Sequence, residues 1–506
     1  MNLKILIKIY KKFFKNPIDK GENVCYNVSE IYTELPFLGG VMNKNIDMIN
    51  GGLFKKIVLF TIPIMLQGIL QSLYNSADLI IVSNFAEESA LPAVGATTSI
   101  YNVLLSLFLG IAAGVDVLTS FNYGKKNYDN VKKTIDTAVV IAPILGIVVS
   151  FIGFFLAEPV LILMDTPTEA GVLDGAVTYL KILMIGVPFT LLYNFCAAVF
   201  RTAGQTQRPF IYLVISGIVN VVLNILFVAG FHLGVVGVAV ATVISQMLSA
   251  ILILIDLLKR EGLFSLDLKK ISFSWRIFGR MVAIGLPAGF QNGVFSLANS
   301  FLQAGVNSFG NDAISASTAV STVEGLMWVT LLSFQSTAMT FISQNLGAGK
   351  LDRVKKVFAI TFTMTTILGI VLGMGTFLLQ EPILKIFIKD NPAAMAYGYE
   401  RLMMTFPIYF LAGIMALLPG AIRGLGYSLP PSIISLIGAC GVRILWVYTV
   451  FKQYHTLAVL YLVHPITWVI TDIALAINLI ICYRKVKKRM NIPSVSTKKT
   501  KEIKIK

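Results

Sequence analysis

Gln67, Gln71, Asn75 and Asp78 are spaced by four, four and three residues, so a helix presents all four on one face. The run that holds them, IPIMLQGILQSLYNSADLIIVS, is otherwise apolar. In hydrocarbon an unsatisfied polar group costs several kcal/mol, so such a stripe has to face protein or a water-filled cavity. A carboxylate in that position can take up or release a proton, or bind a cation, as its access to water changes. For the amides the plainer reading is interhelical hydrogen bonding, on the order of 1 kcal/mol each. For Asp78 it is a cap at the outer mouth, roughly 31 Å of helix past Ile57.

Other polar groups repeat the pattern. Ser216, Asn220 and Asn224 are four apart, and Thr242 is followed by Gln246 and Ser249. Asp78, Asn220, Asn224 and Thr242 therefore form the candidate group for coupling to a proton or cation. Gln67, Gln71, Tyr74, Asn75, Gln291, Asn299, Glu324 and Gln335 form the candidate substrate cavity, with Met327 and Trp328 as adaptable apolar surface or as plain helix packing. Glu324 and Asp472 either bind a cation or pair with Arg443, which is expected to be the only central arginine inside a span.

The elements that position these residues follow from composition. Of 506 residues, 56% are hydrophobic and 13% charged, and the mean hydropathy is +0.77; soluble domains carry about 25% charged residues. Twelve apolar spans are expected, near 57–82, 94–117, 134–157, 178–200, 210–231, 236–257, 280–306, 314–340, 357–379, 402–422, 431–451 and 457–482. They are too continuously apolar for the alternating strands of an outer-membrane barrel, so the fold class is an all-α integral membrane protein.

The net charge of +16 does not point to nucleic acid, because the lysines and arginines lie on alternate connectors. Lys125, Lys126, Lys132 and Lys133, then Lys259 to Arg276, then Lys350 to Lys356 belong on the cytoplasmic side. Glu87, Glu158 and Asp174 belong on the outer side, which puts both termini inside. Four cysteines without a CxxC pair and three scattered histidines indicate neither a disulfide framework nor a metal site. The expected organisation is a cytoplasmic leader (1–52), a first lobe (53–258), a linker (259–279), a second lobe (280–483) and a basic cytoplasmic tail (484–506). The leader begins as a basic amphipathic stretch suited to an anionic membrane surface; the alternatives are a disordered segment and a true start at Met42.

Comparing the chain with itself shows a repeat. FNYGKKNYDNVKK at 121 matches QNLGAGKLDRVKK at 344, AEPVLILM at 157 matches QEPILKIF at 380, RTAGQTQRP at 201 matches RGLGYSLPP at 423, and IPIMLQGILQSLYNS at 62 matches LPAGFQNGVFSLANS at 286. Two homologous halves of six spans insert in parallel, related by a pseudo-two-fold axis along the membrane normal. That architecture makes two lobes around a cleft and suits alternating access. GAGK at 347–350 is then a turn between spans rather than a nucleotide loop, and adjacent aspartates for a magnesium diphosphate site are lacking. Asp78 falls on Leu302 in the second copy, and Ser216, Asn220 and Asn224 fall on Gly438, Val442 and Trp446. Hydrogen-bonding capacity is thus expected to concentrate in the first lobe.

Pro63 with NSAD78, the connectors RTAGQTQRP and RGLGYSLPP, NVVLN at 220–224 and ATVISQ at 241–246 together resemble the MATE family of multidrug and toxic compound extruders, over about residues 43–485. The resemblance implies two six-helix lobes in a V and export of organic, often cationic, compounds against inflow of protons or sodium. It implies for Asp78 the role of the first-helix carboxylate, and for Asn220 and Thr242 that of its hydrogen-bonding companions. The sequence departs at Asn224, where many members carry a second Asp, and it lacks the acids of the sodium-type branch in 281–306 and 402–422. The expectation is a non-enzymatic, proton-coupled antiporter, with sodium as the alternative ion, no cofactor and no metal. It is expected to act as a monomer among the lipids of a bacterial cytoplasmic membrane, on small organic molecules. A flippase for a lipid-linked precursor is the alternative, and a receptor or membrane enzyme the remote one.

Overall fold

The computed structural model describes residues 45–87, 89–164, 166–168, 171–388 and 391–491. The leader up to residue 44 and the tail beyond 491 lie outside the described residues. Each apolar run becomes a helix because that satisfies every backbone group internally. In the first half these are α1 (Phe54–Phe85), α2 (Ala90–Gly124), α3 (Tyr128–Leu163), α4 (Val172–Thr202), α5 (Gln207–Gly230) and α6 (Gly234–Lys259). The second half has α7 (Trp275–Asn307), α8 (Asn311–Gly347), α9 (Leu351–Leu378), the short α10 (Gln380–Phe387), α11 (Pro392–Thr405), α12 (Phe410–Gly424), α13 (Leu429–Phe451) and α14 (Leu457–Asn491). Among the described residues eleven helices are long and apolar enough to cross a membrane, and α11 with α12, bent by 51°, completes twelve.

That bent pair corrects the tenth expected span. It begins at Pro392 rather than near 402, with Asn391 capping the free amide of Ala394 and Pro392 in the first turn, where its missing N–H is not needed. Glu400 and Arg401 lower the hydropathy of its first half. The break follows Thr405, where Pro407 sits in a 3-10 turn at Phe406–Ile408. In the first lobe α4 runs unbroken through the corresponding stretch.

The two halves repeat in local detail. α5 ends in a π-helical segment at Ile225–Gly230, and α13 ends in one at Val447–Phe451, at the repeat offset. Gly204 and Gly426 adopt positive φ after α4 and α12, which explains the glycine in both connectors as a helix stop. Lys126 and Gly349 hold the same left-handed position after α2 and α8, so GAGK is the turn expected of it.

The lobes meet through α1, α2, α7 and α8. A Cβ on Gly110 or Gly114 would lie 2.3 or 2.2 Å from backbone atoms of Gly289 and Met281, and one on Gly285 2.3 Å from Ile111 Cα, so only glycine lets α2 and α7 approach this closely. Gly124 abuts the Gln344 carbonyl and its repeat mate Gly347 abuts that of Phe121, with would-be Cβ distances of 2.0 and 2.1 Å. Residues 121 and 344 are themselves repeat mates, so the pseudo-two-fold axis passes between these contacts.

At the end bearing the basic connectors, Phe60 packs edge-on against Phe341 and the hydroxyls of Thr61 and Thr337 lie 2.9 Å apart. The segment before α1 fastens this end. Ile46 donates its amide to the Gly204 carbonyl at 3.2 Å, while Asn345, Lys350 and Arg353 donate to the carbonyls of Met48, Ile49 and Gly51. Residues expected to belong to a leader thus tie connectors of both lobes together.

Candidate coupling site and substrate cavity

Asp78 comes three residues after Asn75 and lies inside the first lobe, 8% exposed, facing α5 and α6. Asn224 donates its side-chain amide to Oδ1 at 2.5 Å, and Thr242 donates its hydroxyl to Oδ2 at 3.4 Å. Asn224 also donates to the Asn220 carbonyl oxygen at 3.3 Å, and Asn220 donates to Thr242 Oγ1 at 3.5 Å. The four candidate coupling residues therefore form one cluster. The spacing explains it: Asn220 and Asn224 are one helical turn apart on α5, immediately before its π-helical segment, a feature frequent at functional sites. Every partner of the carboxylate is neutral. Asn224 Oδ1 is buried without a hydrogen-bond partner, so the cluster has an acceptor available for a proton carried by Asp78.

The polar stripe on α1 divides. Gln71 and Asn75 are exposed, Gln67 is half-buried, and Tyr74 turns into the first lobe to donate its hydroxyl to the Leu213 carbonyl at 3.2 Å. None of these four lines the half-open cavity of the second lobe, whereas Gln291, Asn299, Glu324 and Gln335 do.

That cavity has a volume of about 670 Å³ and lies among α7, α8, α11 to α14. Phe295 and Trp328 stack in its wall, 5.7 Å between centroids and 8° between planes. Its charged lining is two arginines against one glutamate. Arg401 pairs with Glu324 at 2.7 Å and donates to Ser317 and Ser321. The expected pairing of Glu324 or Asp472 with Arg443 is therefore corrected: Glu324 has taken Arg401, and Asp472 has both carboxylate oxygens buried without a hydrogen-bond partner. Arg443 instead donates to Asn299 at 2.8 Å and lies over the Phe295 ring at 4.8 Å.

Arg443 is also not the only central arginine. Arg401 and Arg423 are 7% and 3% exposed within the same lobe, and Arg423 donates to the Gln291 carbonyl oxygen at 2.5 Å. Hydrogen-bonding capacity is thus not confined to the first lobe.

A second buried carboxylate was not singled out from the sequence. Asp116 on α2, fully buried, receives Arg201 Nε at 3.0 Å, Ser120 at 3.2 Å and, from the other lobe, the Thr340 hydroxyl at 3.0 Å to each oxygen. Ser120 reaches Thr202 at 3.0 Å, and Gln344 donates to the Thr202 carbonyl at 3.2 Å. The signal available was an acid at the edge of an apolar span and the arginine of RTAG at the end of another. Its saturated pairing makes it an interlobe latch rather than an ion carrier. Among the described residues no group of three or more His, Cys, Asp or Glu side chains could hold a metal ion.

The MatE family model matches residues 63–226 and again 287–449, one copy on each lobe. The chain is 26% identical over 437 residues, 85% of its length and 92% of the relative's, to the probable multidrug resistance protein YoeA of Bacillus subtilis. It is 24% identical over 327 residues, 63% of its length and 70% of the relative's, to a protein of Shewanella oneidensis named FAD transporter. An outward-facing structure of a multidrug resistance MATE family transporter of the MOP superfamily superposes with a TM-score of 0.78 at 19% identity, covering 89% of this chain and 98% of that one.

Proposed function

The chain belongs to the MATE family, whose members are multi-pass membrane transporters and not enzymes, and from that premise we propose that it exports small organic compounds across a bacterial cytoplasmic membrane by alternating access, driven by protons entering through Asp78. The observation that carries this reading is the setting of Asp78: a buried carboxylate whose partners, Asn224 and Thr242, are neutral. Protonation removes the only charge in the cluster and releases the amide and hydroxyl that held it. The helices carrying them, α5 and α6, are then free to repack against α1. The basic connectors and the fastened end face the cytoplasm in this reading, so both termini are inside and the protein acts as a monomer among lipids.

Asn224 in place of a second acid favours a proton over sodium, because a single carboxylate with amides supplies one charge and few oxygens. A proton moving down the potential releases about 2.3 kcal/mol per 100 mV, enough for roughly forty-fold concentration of a neutral solute at one-to-one exchange. The substrate class extends beyond drugs, since the Shewanella relative is named an FAD transporter.

The test is efflux of a fluorescent organic substrate from drug-sensitive cells expressing wild type or Asp78→Asn. Loss of efflux in the variant, and in wild type when the pH gradient and potential are collapsed, is expected. Unchanged efflux by the variant overturns the coupling role, and dependence on external sodium replaces the proton.

A further inference from the structure

We infer that the second-lobe cavity is built for an organic anion with a flat ring, bound through its acidic group by Arg443 and stacked on Trp328; this deepens the export reading above and rests on it. Arg443 is 2% exposed, lines the cavity and, among the described residues, has no ion pair. A guanidinium buried in a membrane protein without a counter-ion is costly, and such groups mark binding sites and pathways. Its Nε also has no hydrogen-bond partner. Two further cavity-lining groups share that state: Ser435 Oγ and His464 Nδ1 are buried and unpartnered. A carboxylate, sulfonate or phosphate oxygen would satisfy the guanidinium by charge-assisted hydrogen bonds, and the hydroxyl would add a donor.

The remaining polar contacts orient rather than neutralise. Asn299 accepts from Arg443 and, with the Phe295 ring beneath it, fixes the guanidinium at the cavity wall. Glu324 acts on Arg443 only at a distance, because its ion pair is with Arg401 at 2.7 Å. The parallel, stacked rings of Phe295 and Trp328 make an aromatic wall beside the cation. A flat ring carrying an acidic group matches both features at once, whereas a flat cation would sit against an unpaired arginine.

The choice has an electrical consequence. Exchange of one proton for a monovalent cation moves no net charge, but exchange for a monovalent anion moves two elementary charges inward in each cycle.

The experiment measures binding, not transport, so its outcome is separate from that of the coupling test. Pyrene-1-sulfonate and pyrenylmethylammonium are titrated against purified full-length protein, reading tryptophan quenching and probe fluorescence. Wild type is expected to prefer the sulfonate, and Arg443→Gln to weaken it by about 10- to 100-fold while leaving the ammonium probe unchanged. Arg443→Lys recovers part of the loss, which separates a charge effect from misfolding. The proposal is overturned if the ammonium probe binds more tightly, or if Arg443→Gln leaves sulfonate binding intact. A lipid phosphate is the other source of the same chemistry. Replacing neutral lipid by phosphatidylglycerol is expected to leave probe affinity unchanged, and competitive displacement by that lipid overturns the aromatic-anion reading.

Discussion

In the first lobe the buried charge without a counter-ion is Asp78, held by an amide and a hydroxyl from α5 and α6. In the second lobe Arg443 on α13, held by the amide of Asn299 on α7, is one of three such groups among the described residues, with Arg423 and Asp472. Both Asp78 and Arg443 lie where the fifth helix of a repeat faces the first. The copies also share an arginine at the end of the fourth span, but Arg201 is neutralised by Asp116, whereas Arg423 has only Gln291 and Ser432 as hydrogen-bond partners. Repeat alignment puts Met339 where the first lobe has Asp116. Duplication therefore preserved the backbone devices, such as glycine stops, π-helical ends and close glycine contacts, and let the sign of the buried charge diverge. In the proposed reading one lobe handles a proton and the other holds an anion.

The sharpest way to break this comparison is to remove the acid. Asp78→Asn keeps the shape and one of the two accepting oxygens but can no longer change charge. The concentration ratio of a neutral substrate sustained by proteoliposomes is expected to fall from roughly forty-fold per 100 mV to about one. Substrate exchange at zero gradient should persist, because it needs the conformational cycle but no net proton movement. Loss of exchange as well would place Asp78 in the scaffold instead.

Next in size is the latch. Asp116→Ala leaves Arg201 buried without a partner, and breaking one side of a buried pair costs about 3–5 kcal/mol. Thermal unfolding in detergent should shift down by several degrees, and a reporter thiol in place of Ser343 should become more reactive as the fastened end opens. Removing Arg201 as well, in Asp116→Ala with Arg201→Met, is expected to recover much of the loss. A failure to recover would show that the hydroxyls of Ser120 and Thr340, not the ion pair, hold the site.

How much of this was legible in the sequence depended on whether partners shared a helix or a repeat. Asn220 and Asn224 were readable because one turn separates them, and Asp78 because it stood out in an apolar run. Twelve spans and two lobes followed from hydropathy and the constant offset. Arg401 was lost by one residue: its charge and that of Glu400 depress local hydropathy, although the pairing with Glu324 offsets the cost inside the protein. The Asp116 latch joins residues 85 and 224 positions apart on three helices, a juxtaposition no local pattern contains. Residues 45–52 read as part of a polar leader because their role is made by carbonyls, which every sequence has.

The shared scaffold predicts equal effects where the charges predict unequal ones. A Cβ on Gly124 or Gly347 would meet the carbonyl oxygen of Gln344 or Phe121 at 2.0 and 2.1 Å, so either alanine variant must push α2 and α8 apart. Each is expected to destabilise the fastened end by about 1–3 kcal/mol, measured by denaturation, with the two values close to each other. A large inequality would show that the axis is only approximate here.

The smallest effect belongs to the Thr61 and Thr337 hydroxyls. Thr61 lies 2.7 Å from the Ile57 carbonyl, Thr337 lies 2.9 Å from that of Ser333, and the two hydroxyls lie 2.9 Å from one another. Two hydrogens cannot serve three contacts at once, so whichever threonine donates across the interface gives up its own helix. The net gain is accordingly small. A double-mutant cycle with Thr61→Val and Thr337→Val is expected to give a coupling of about 0.5–1 kcal/mol. Their repeat mates, Gly285 at offset 224 and Gly114 at offset 223, sit in the α7–α2 contact, where backbone proximity replaces the hydroxyl pair. A coupling above about 2 kcal/mol would mean that the α1–α8 seam is a principal lock and that the two seams, despite their common origin, are closed by different forces.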